Sequence, residues 1–260
     1  MGKVIAIANQ KGGVGKTTTA INLSSCLAER GQRILLIDAD PQGNSTSGLG
    51  VSECPNTIYE VIIQKCPLHQ AIYATDINNL DICASGQGLA GADIELVTEE
   101  NREFRMKNAI DTIKPYYDFI FIDCPPSISL ITLNALTASD TVLVPIQCEY
   151  YALEGLGYLT NTINYLRKSL NPTLNIEGVL MTMFDARTNL SIQVVEEVKK
   201  FFPRNVYKSI IPRNVRLSEC PSYGQPINVY DPASKGAVKY GELADEFLTA
   251  NAPVKEQQYA

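Results

Sequence analysis

The chain has 260 residues, enough for one large α/β domain, and its 45% hydrophobic and 19% charged content is that of a globular protein. A formal charge of −6 argues against a molecule that is basic throughout, and a single histidine argues against a His-based metal centre or a Ser-His-Asp triad. Seven cysteines without a C-x-x-C pair read as small core residues of a reduced, cytoplasmic protein, and no apolar run reaches signal-peptide or membrane-spanning length.

From the amino terminus, residues 4–8 predict a strand and residues 20–28 a helix. Between them stands Asn9-Gln10-Lys11-Gly12-Gly13-Val14-Gly15-Lys16-Thr17-Thr18. Strand, glycine-rich turn, then helix is the context of a phosphate-binding loop. Its glycines let the backbone curl so that successive N–H groups face phosphate oxygens at the positive end of the helix. In that arrangement Lys16 reaches the β- and γ-phosphates of ATP and the Thr17 hydroxyl ligates Mg²⁺. Gln10 stands where the usual first glycine would be, and Lys11 adds a second lysine. Two lysines repel unless a strongly anionic ligand lies between them.

Residues 33–37 predict a buried parallel strand that delivers Asp38 and Asp40 at its carboxyl end, where open α/β sheets place ligands. Two such carboxylates beside a triphosphate suit Mg²⁺ coordination or water positioning. Residues 44–55 read as a loop, 57–64 and 68–74 as short helices, 80–84 as a strand and 102–113 as a helix. None of these segments, His69 included, carries chemistry that outweighs a structural role. Phe119-Ile120-Phe121-Ile122-Asp123 is a Walker B pattern, in which a central strand sets one carboxylate beside Mg²⁺. Pro125 and Pro126 stop that strand, a helix opens near Ser127, and Cys124 reads as a packed residue rather than a nucleophile. Further on, 141–146, 176–183 and 207–211 predict strands, and 152–170, 191–202 and 236–250 predict helices. The alternation argues an α/β, doubly wound, mainly parallel sheet with helices on both faces: one P-loop domain over 1–250 and a polar tail at 251–260.

Charge is unevenly spread. Residues 186–240 hold nine basic side chains (Arg187, Lys199, Lys200, Arg204, Lys208, Arg213, Arg216, Lys235 and Lys239) against four acidic ones, a local +5 that leaves −11 for the rest. That asymmetry is the footprint of phosphate-backbone binding, and with no recognition helix the binding expected is sequence-independent and salt-sensitive.

The string Lys11-Gly12-Gly13-Val14-Gly15-Lys16-Thr17-Thr18 resembles the deviant Walker A motif of the ParA/MinD group of P-loop ATPases, and Asp123-Cys124-Pro125-Pro126-Ser127 is similar to the same group. Phe184-Asp185-Ala186-Arg187-Thr188-Asn189-Leu190 and Ile211-Pro212-Arg213-Asn214-Val215-Arg216-Leu217-Ser218-Glu219 resemble DNA-contacting segments of ParA/Soj partitioning ATPases, and the likeness runs from residue 1 to about 248. The resemblance implies a nucleotide-sandwich homodimer in which Lys11 reaches the partner's ATP. It assigns Asp40 to orienting the attacking water, with Asp38 and Asp123 on the metal side. Met183, Pro212 and Asn214 become the adenine-side wall. It further implies non-specific double-stranded DNA and a ParB/Spo0J-type centromere-binding protein as partners, and a nucleoid-associated location. No glutamate stands where a strong general base is expected, so slow hydrolysis that the partner accelerates is the expectation. The sequence opens directly at the first strand, so the DNA-reading extension of larger plasmid relatives, and operator-specific repression with it, are not expected.

Rival readings are a MinD-like membrane switch and a small-molecule P-loop ligase such as the dethiobiotin or cobyrinate synthetases. The first needs a basic amphipathic tail, which Asn251-Ala252-Pro253-Val254-Lys255-Glu256-Gln257-Gln258-Tyr259-Ala260 lacks. The second leaves the basic third of the chain without a task. A kinase of similar P-loop would want a terminal tyrosine cluster, and an iron–sulfur reductase paired cysteines.

Overall fold

A computed structural model describes residues 2–149, 152–203 and 205–252. Among them seven strands form one sheet: β1 (Lys3–Ile7), β2 (Ile34–Asp38), β3 (Ile72–Ala74), β4 (Leu80–Cys83), β5 (Phe119–Asp123), β6 (Thr141–Gln147) and β7 (Asn175–Thr182). Their order is β3-β4-β2-β5-β1-β6-β7, parallel throughout except for the antiparallel β3–β4 pair. Every residue of β2 and β5 is buried. Strands covered on both faces need apolar side chains at every position, which is why these segments read as unbroken hydrophobic runs.

The helices are α1 (Lys16–Glu29), α2 (Asn44–Gly48), α3 (Ile58–Ile62), α4 (Leu89–Glu95), α5 (Arg105–Ile113), α6 (Leu130–Ala138), α7 (Ala152–Ser169), α8 (Asn189–Phe201), α9 (Val215–Glu219), α10 (Ile227–Tyr230) and α11 (Lys235–Ala250). Successive strand residues point to opposite faces, so each strand feeds two cores. Val4, Ala6, Leu35, Ile37, Ile120 and Ile122 pack on the face covered by α3 to α8. Ile5, Ile7, Ile34, Leu36, Phe119 and Phe121 pack on the face covered by α1 and α11. The chain winds to one side of β1 through β2, β4 and β3, and to the other through β6 and β7. The loop after β1 therefore stands at the reversal point, where such sheets hold ligands.

Several elements depart from the sequence reading. Residues 44–48 form α2 instead of loop, and α4 was not anticipated. Only Leu68–Ala71 is helical in the 68–74 stretch; Ile72–Ala74 turns into β3 beside β4. The helix expected near Ser127 starts at Leu130. Residues 207–211 make no strand: the segment meets β7 through the Tyr207 N–H on the Val179 carbonyl and the Ile211 N–H on the Met181 carbonyl, with isolated bridges at Val206 and Pro212 on either side. The Lys208 and Ser209 N–H groups instead donate to the Glu246 carboxylate at 2.7 and 3.0 Å, so a side chain of α11 takes the place of a strand ladder. Asn251, placed in the tail by sequence, bonds to Glu177 and accepts from Lys3, closing α11 onto the sheet. Tail residues 253–260, with Tyr150, Tyr151 and Arg204, lie outside the described residues. All seven cysteines are free, and Cys26, Cys83, Cys124, Cys148 and Cys220 are buried.

Candidate functional site

The loop between β1 and α1 is tied down from two sides. Asn9 Nδ2 donates to the Pro145 carbonyl of β6 at 2.8 Å, and the Lys11 N–H donates to Asn9 Oδ1 at 3.0 Å. At the other end the Thr182 hydroxyl, last in β7, donates to the Val14 carbonyl at 2.8 Å. Gly13 (φ 73°) and Gly15 (φ 88°) adopt the left-handed conformation that lets the chain wrap, while Val14 is buried beneath as the anchor. Gly12 and Gly13 are exposed along the rim, and Thr17 and Thr18 open the first turn of α1.

Lys16 is only 7% exposed, and burial pulls its ammonium below the usual lysine range, against the opposing pull of Asp123, Cys124 and Asp40. Its Nζ donates to the Lys11 carbonyl at 3.4 Å, which turns the ammonium back onto the loop. Lys11 is half-exposed, and its Nζ lies 3.3 Å from Glu149 Oε2 of the same chain, while Gln147 Nε2 donates to the other Glu149 oxygen.

Adjacent strands bring the three aspartates to one end of the sheet. Asp38 and Asp123 are register partners across β2–β5, and Asp123 is also the partner of Ile7, which leads into the loop. Asp123 Oδ2 accepts the Ser45 hydroxyl at 2.8 Å; its Oδ1 is buried without a hydrogen-bond partner among the described residues. Burial, then the adjacent Asp38, pushes the Asp123 carboxyl up, and the Ser45 and Thr17 hydroxyls and Lys16 counter it. Asp38, expected on the metal side, has both oxygens engaged by protein donors. Oδ2 takes the Thr46 N–H and hydroxyl at 2.8 and 2.7 Å, and Oδ1 takes the Asp40 N–H at 3.2 Å. Asp40 accepts the Gln42 N–H on Oδ1, and its carbonyl accepts the Ser85 hydroxyl at 2.7 Å. Burial pushes the Cys124 thiol far up, which leaves it without nucleophilic character.

A cleft of about 570 Å³ opens beside the loop, and Met183, Pro212 and Asn214 all line it, together with Gly15, Thr18 and Tyr240. Met183 holds a left-handed φ of 51°, unusual for a side chain with a Cβ, at the point where β7 ends.

The basic residues are only partly gathered. The Arg213 N–H donates to the Phe184 carbonyl, which brings the 213–216 segment beside Asp185 and Arg187. Gly236, next to Lys235, abuts Leu217, so the start of α11 joins the same neighbourhood. Lys199 and Lys200 sit in the last turn of α8, roughly 15 Å along its axis from Asn189. Four of these cations are already paired: Arg187 with Asp185, Arg216 with Glu219 and Asp231, Lys200 with Glu197 and Lys239 with Glu242. Sequence reasoning passed over Ser45, Thr46, Ser85 and Thr182, named Asn9 only as the start of the loop, and took Glu149 only as part of a polar loop that the family resemblance puts near a dimer interface. The polar run Asn44-Ser45-Thr46-Ser47 after Asp40-Pro41-Gln42-Gly43 was the available signal for the first two.

With this geometry in hand, comparison with known proteins is informative. The family described as AAA domain matches residues 2–176. The sporulation initiation inhibitor protein Soj of Bacillus subtilis is 58% identical over 248 residues, covering 95% of this chain and 98% of that one. The chromosome partitioning protein ParA of Myxococcus xanthus is 51% identical, covering 97% and 90%. Among solved structures, cobyrinic acid a,c-diamide synthase from Mycobacterium smegmatis with bound ADP and magnesium superposes with a TM-score of 0.83 at 37% identity, covering 94% and 93%. A seven-stranded P-loop fold, two loop lysines and near full-length identity to Soj and ParA converge on one conclusion: the chain belongs to the Soj/ParA family of chromosome-partitioning P-loop ATPases.

Proposed function

We propose that this chain is a nucleotide-gated DNA switch whose ATP-bound form associates into a dimer on double-stranded DNA and is released by hydrolysis. The observation that carries the reading is the buried Lys16 with a second lysine, Lys11, at the loop's rim, in a chain 58% identical to Soj. The loop N–H groups from Gly12 to Thr18 and the Lys16 ammonium hold the phosphates. Met183, Pro212 and Asn214 flank the base.

The residues present fit Mg²⁺. The orphaned Asp123 Oδ1 and the Thr17 hydroxyl form an all-oxygen donor pair that suits a hard cation completed by phosphate oxygens. Bound there, the ion would neutralise charge between the β- and γ-phosphates. Asp38 supports the site differently from the sequence expectation: it holds Thr46 and the Asp40 N–H, and so fixes the loop that carries the water-orienting Asp40. Lys11 exchanges Glu149 for the partner's nucleotide on association. That exchange is inexpensive, because an exposed lysine–carboxylate pair contributes only about 0–1 kcal/mol.

The surface around Arg187, Arg213, Arg216 and Lys235 then contacts the phosphate backbone from both protomers, so modest single contacts act together. A ParB-type partner completes the hydrolytic site, consistent with the lack of a general-base glutamate there. The 37% identity to a cobyrinic acid a,c-diamide synthase supports a small-molecule ligase as the second reading, but the 58% identity to Soj outweighs it. No helix among the described residues is long and apolar enough to cross a membrane.

The test is binding to random-sequence duplex DNA with ATP, ADP or no nucleotide across a salt series. Tight binding with ATP alone, falling steeply with salt, is expected; equal weak binding in all three states would move the function to the ligase.

A further inference from the structure

Just beyond β4, Ser85 closes a ring of hydrogen bonds around the backbone of Asp40. The register pairs Ile37 with Cys83, so the chain leaving β4 runs level with the chain leaving β2. Asp38 Oδ1 accepts the Asp40 N–H at 3.2 Å, and Asp38 Oδ2 accepts the Thr46 hydroxyl at 2.7 Å. That hydroxyl has given its one proton to Asp38 and accepts the Ser85 N–H at 3.0 Å. The Ser85 hydroxyl then returns to the Asp40 carbonyl at 2.7 Å, and the same carbonyl takes the Gly43 N–H at 2.9 Å. Carboxylates and carbonyls only accept, so every proton in the ring has a single direction. The peptide bond after Asp40 leads into Pro41, which has no N–H. The Asp40 carbonyl is therefore the one polar group by which that peptide plane can be held. Of its two donors, Gly43 belongs to the same turn and moves with it, whereas Ser85 ties the carbonyl to the neighbouring strand. With its N–H on Asp38 and its carbonyl on Ser85, Asp40 has both backbone torsions fixed, and its side chain leaves the loop in one direction.

We propose that Ser85 is a positioning residue for ATP hydrolysis: through the Asp40 carbonyl it holds the Asp40 carboxylate on the attacking water, without touching the nucleotide itself. This inference rests on the water-orienting role given to Asp40 above. The ring is complete in the ligand-free chain, so the alignment is built by folding and draws nothing from the binding energy of ATP. Loss of the Ser85 hydroxyl should consequently appear in turnover and leave ATP affinity alone. A hydroxyl that merely pinned the end of β4 would lower the melting temperature and leave turnover alone.

Two substitutions isolate the hydroxyl. Ser85→Ala removes it and keeps the backbone N–H on Thr46, whereas Ser85→Thr restores it with one added methyl. Each full-length variant is compared with wild type in single-turnover hydrolysis of radiolabelled Mg·ATP at saturation, in ATP affinity by calorimetry and in thermal melting. Ser85→Ala should hydrolyse about fivefold more slowly, the effect of one hydrogen bond of ordinary strength, with ATP affinity within about twofold of wild type. Ser85→Thr should return the rate to within about twofold of wild type. Ser85→Cys, which keeps the size and weakens the donor, should fall between the two and replaces Ser85→Ala if that variant melts below the assay temperature. A Ser85→Ala rate within about twofold of wild type overturns the proposal. So does a loss of ATP affinity as large as the loss of rate, or a folded Ser85→Thr as slow as Ser85→Ala. Asp40→Ala is measured alongside: hydrolysis at the wild-type rate would overturn the role of Asp40 and the inference built on it. Slow Asp40→Ala beside a normal Ser85→Ala would overturn the role of Ser85 alone.

Discussion

Asp123 sits fully enclosed at the end of β5, and its protonation is bound up with folding. Burial and the Asp38 charge raise its folded value to about 7 from an ordinary 3.8. A carboxyl held above its unfolded value binds its proton more tightly in the folded chain. The stability it contributes is full below about pH 4 and is lost as pH rises through the raised value. The ligand-free protein should therefore melt lower at pH 8 than at pH 5.5. In Asp123→Asn the difference should shrink by a few kcal/mol, order of magnitude, and Mg·ADP should restore the wild type at pH 8. Wild type and Asp123→Asn with parallel melting profiles would refute the assignment. At the same scale Lys16→Ala should abolish nucleotide binding in calorimetry, because in the proposed function the buried ammonium is the charge that meets the phosphates. Their placement was legible: the glycine loop before α1 and the Asp that ends an apolar strand are both marked by the local pattern. Ser45, Thr46 and Ser85 were not, because what matters about them is a hydroxyl's reach to Asp123, Asp38 and Asp40 across the sheet's end.

Elements whose neighbours are supplied by the sheet itself were read well; those decided by a distant side chain were not. The buried runs of β2 and β5 announce central parallel strands without help from elsewhere. Residues 207–211 have strand composition, yet the Glu246 carboxylate of α11 accepts the Lys208 and Ser209 N–H groups and the Ser209 hydroxyl. Tyr207 also stands over Gly178, where any Cβ would fall 2.3 Å from its ring, so the segment crosses β7 at a glycine instead of laddering along it. No local pattern encodes either constraint. Glu246→Ala should leave two amides unpaired at a cost of about 1–3 kcal/mol in denaturant unfolding. Exchange at residues 207–211 should rise with it, and because this segment leads into Pro212 and Asn214, nucleotide affinity should fall as well. Unchanged exchange there would mean that the Tyr207 and Ile211 N–H bonds to β7, with the bridges at Val206 and Pro212, hold the segment alone.

For the whole molecule, charge decides how the two lysines and the arginine cluster work together. The window of nine basic residues opens just after Asp185 and closes two residues before Glu242, and both carboxylates pair with cations inside it. The +5 read from sequence thus overstates the free positive charge, and any DNA must compete with Asp185, Glu219, Asp231 and Glu242 for their partners. Exposed pairs of this kind yield readily, so the cost is small, but single-protomer binding is left weak. In the proposed function association then becomes the gate, since two such surfaces side by side would gain by effective concentration what neither has alone. Lys11→Ala should consequently keep nucleotide while losing ATP-dependent association in sedimentation, and lose DNA with it. Arg187→Ala combined with Arg216→Ala should do the reverse, retaining ATP-dependent association and losing DNA. Where residual binding is measurable, removing four phosphate contacts per dimer should flatten the slope of log affinity against log salt by about 3–4. A double variant that keeps the wild-type slope would place the phosphate contacts on Lys199, Lys200 and the far end of α8, and the dimer would then meet DNA along a different face.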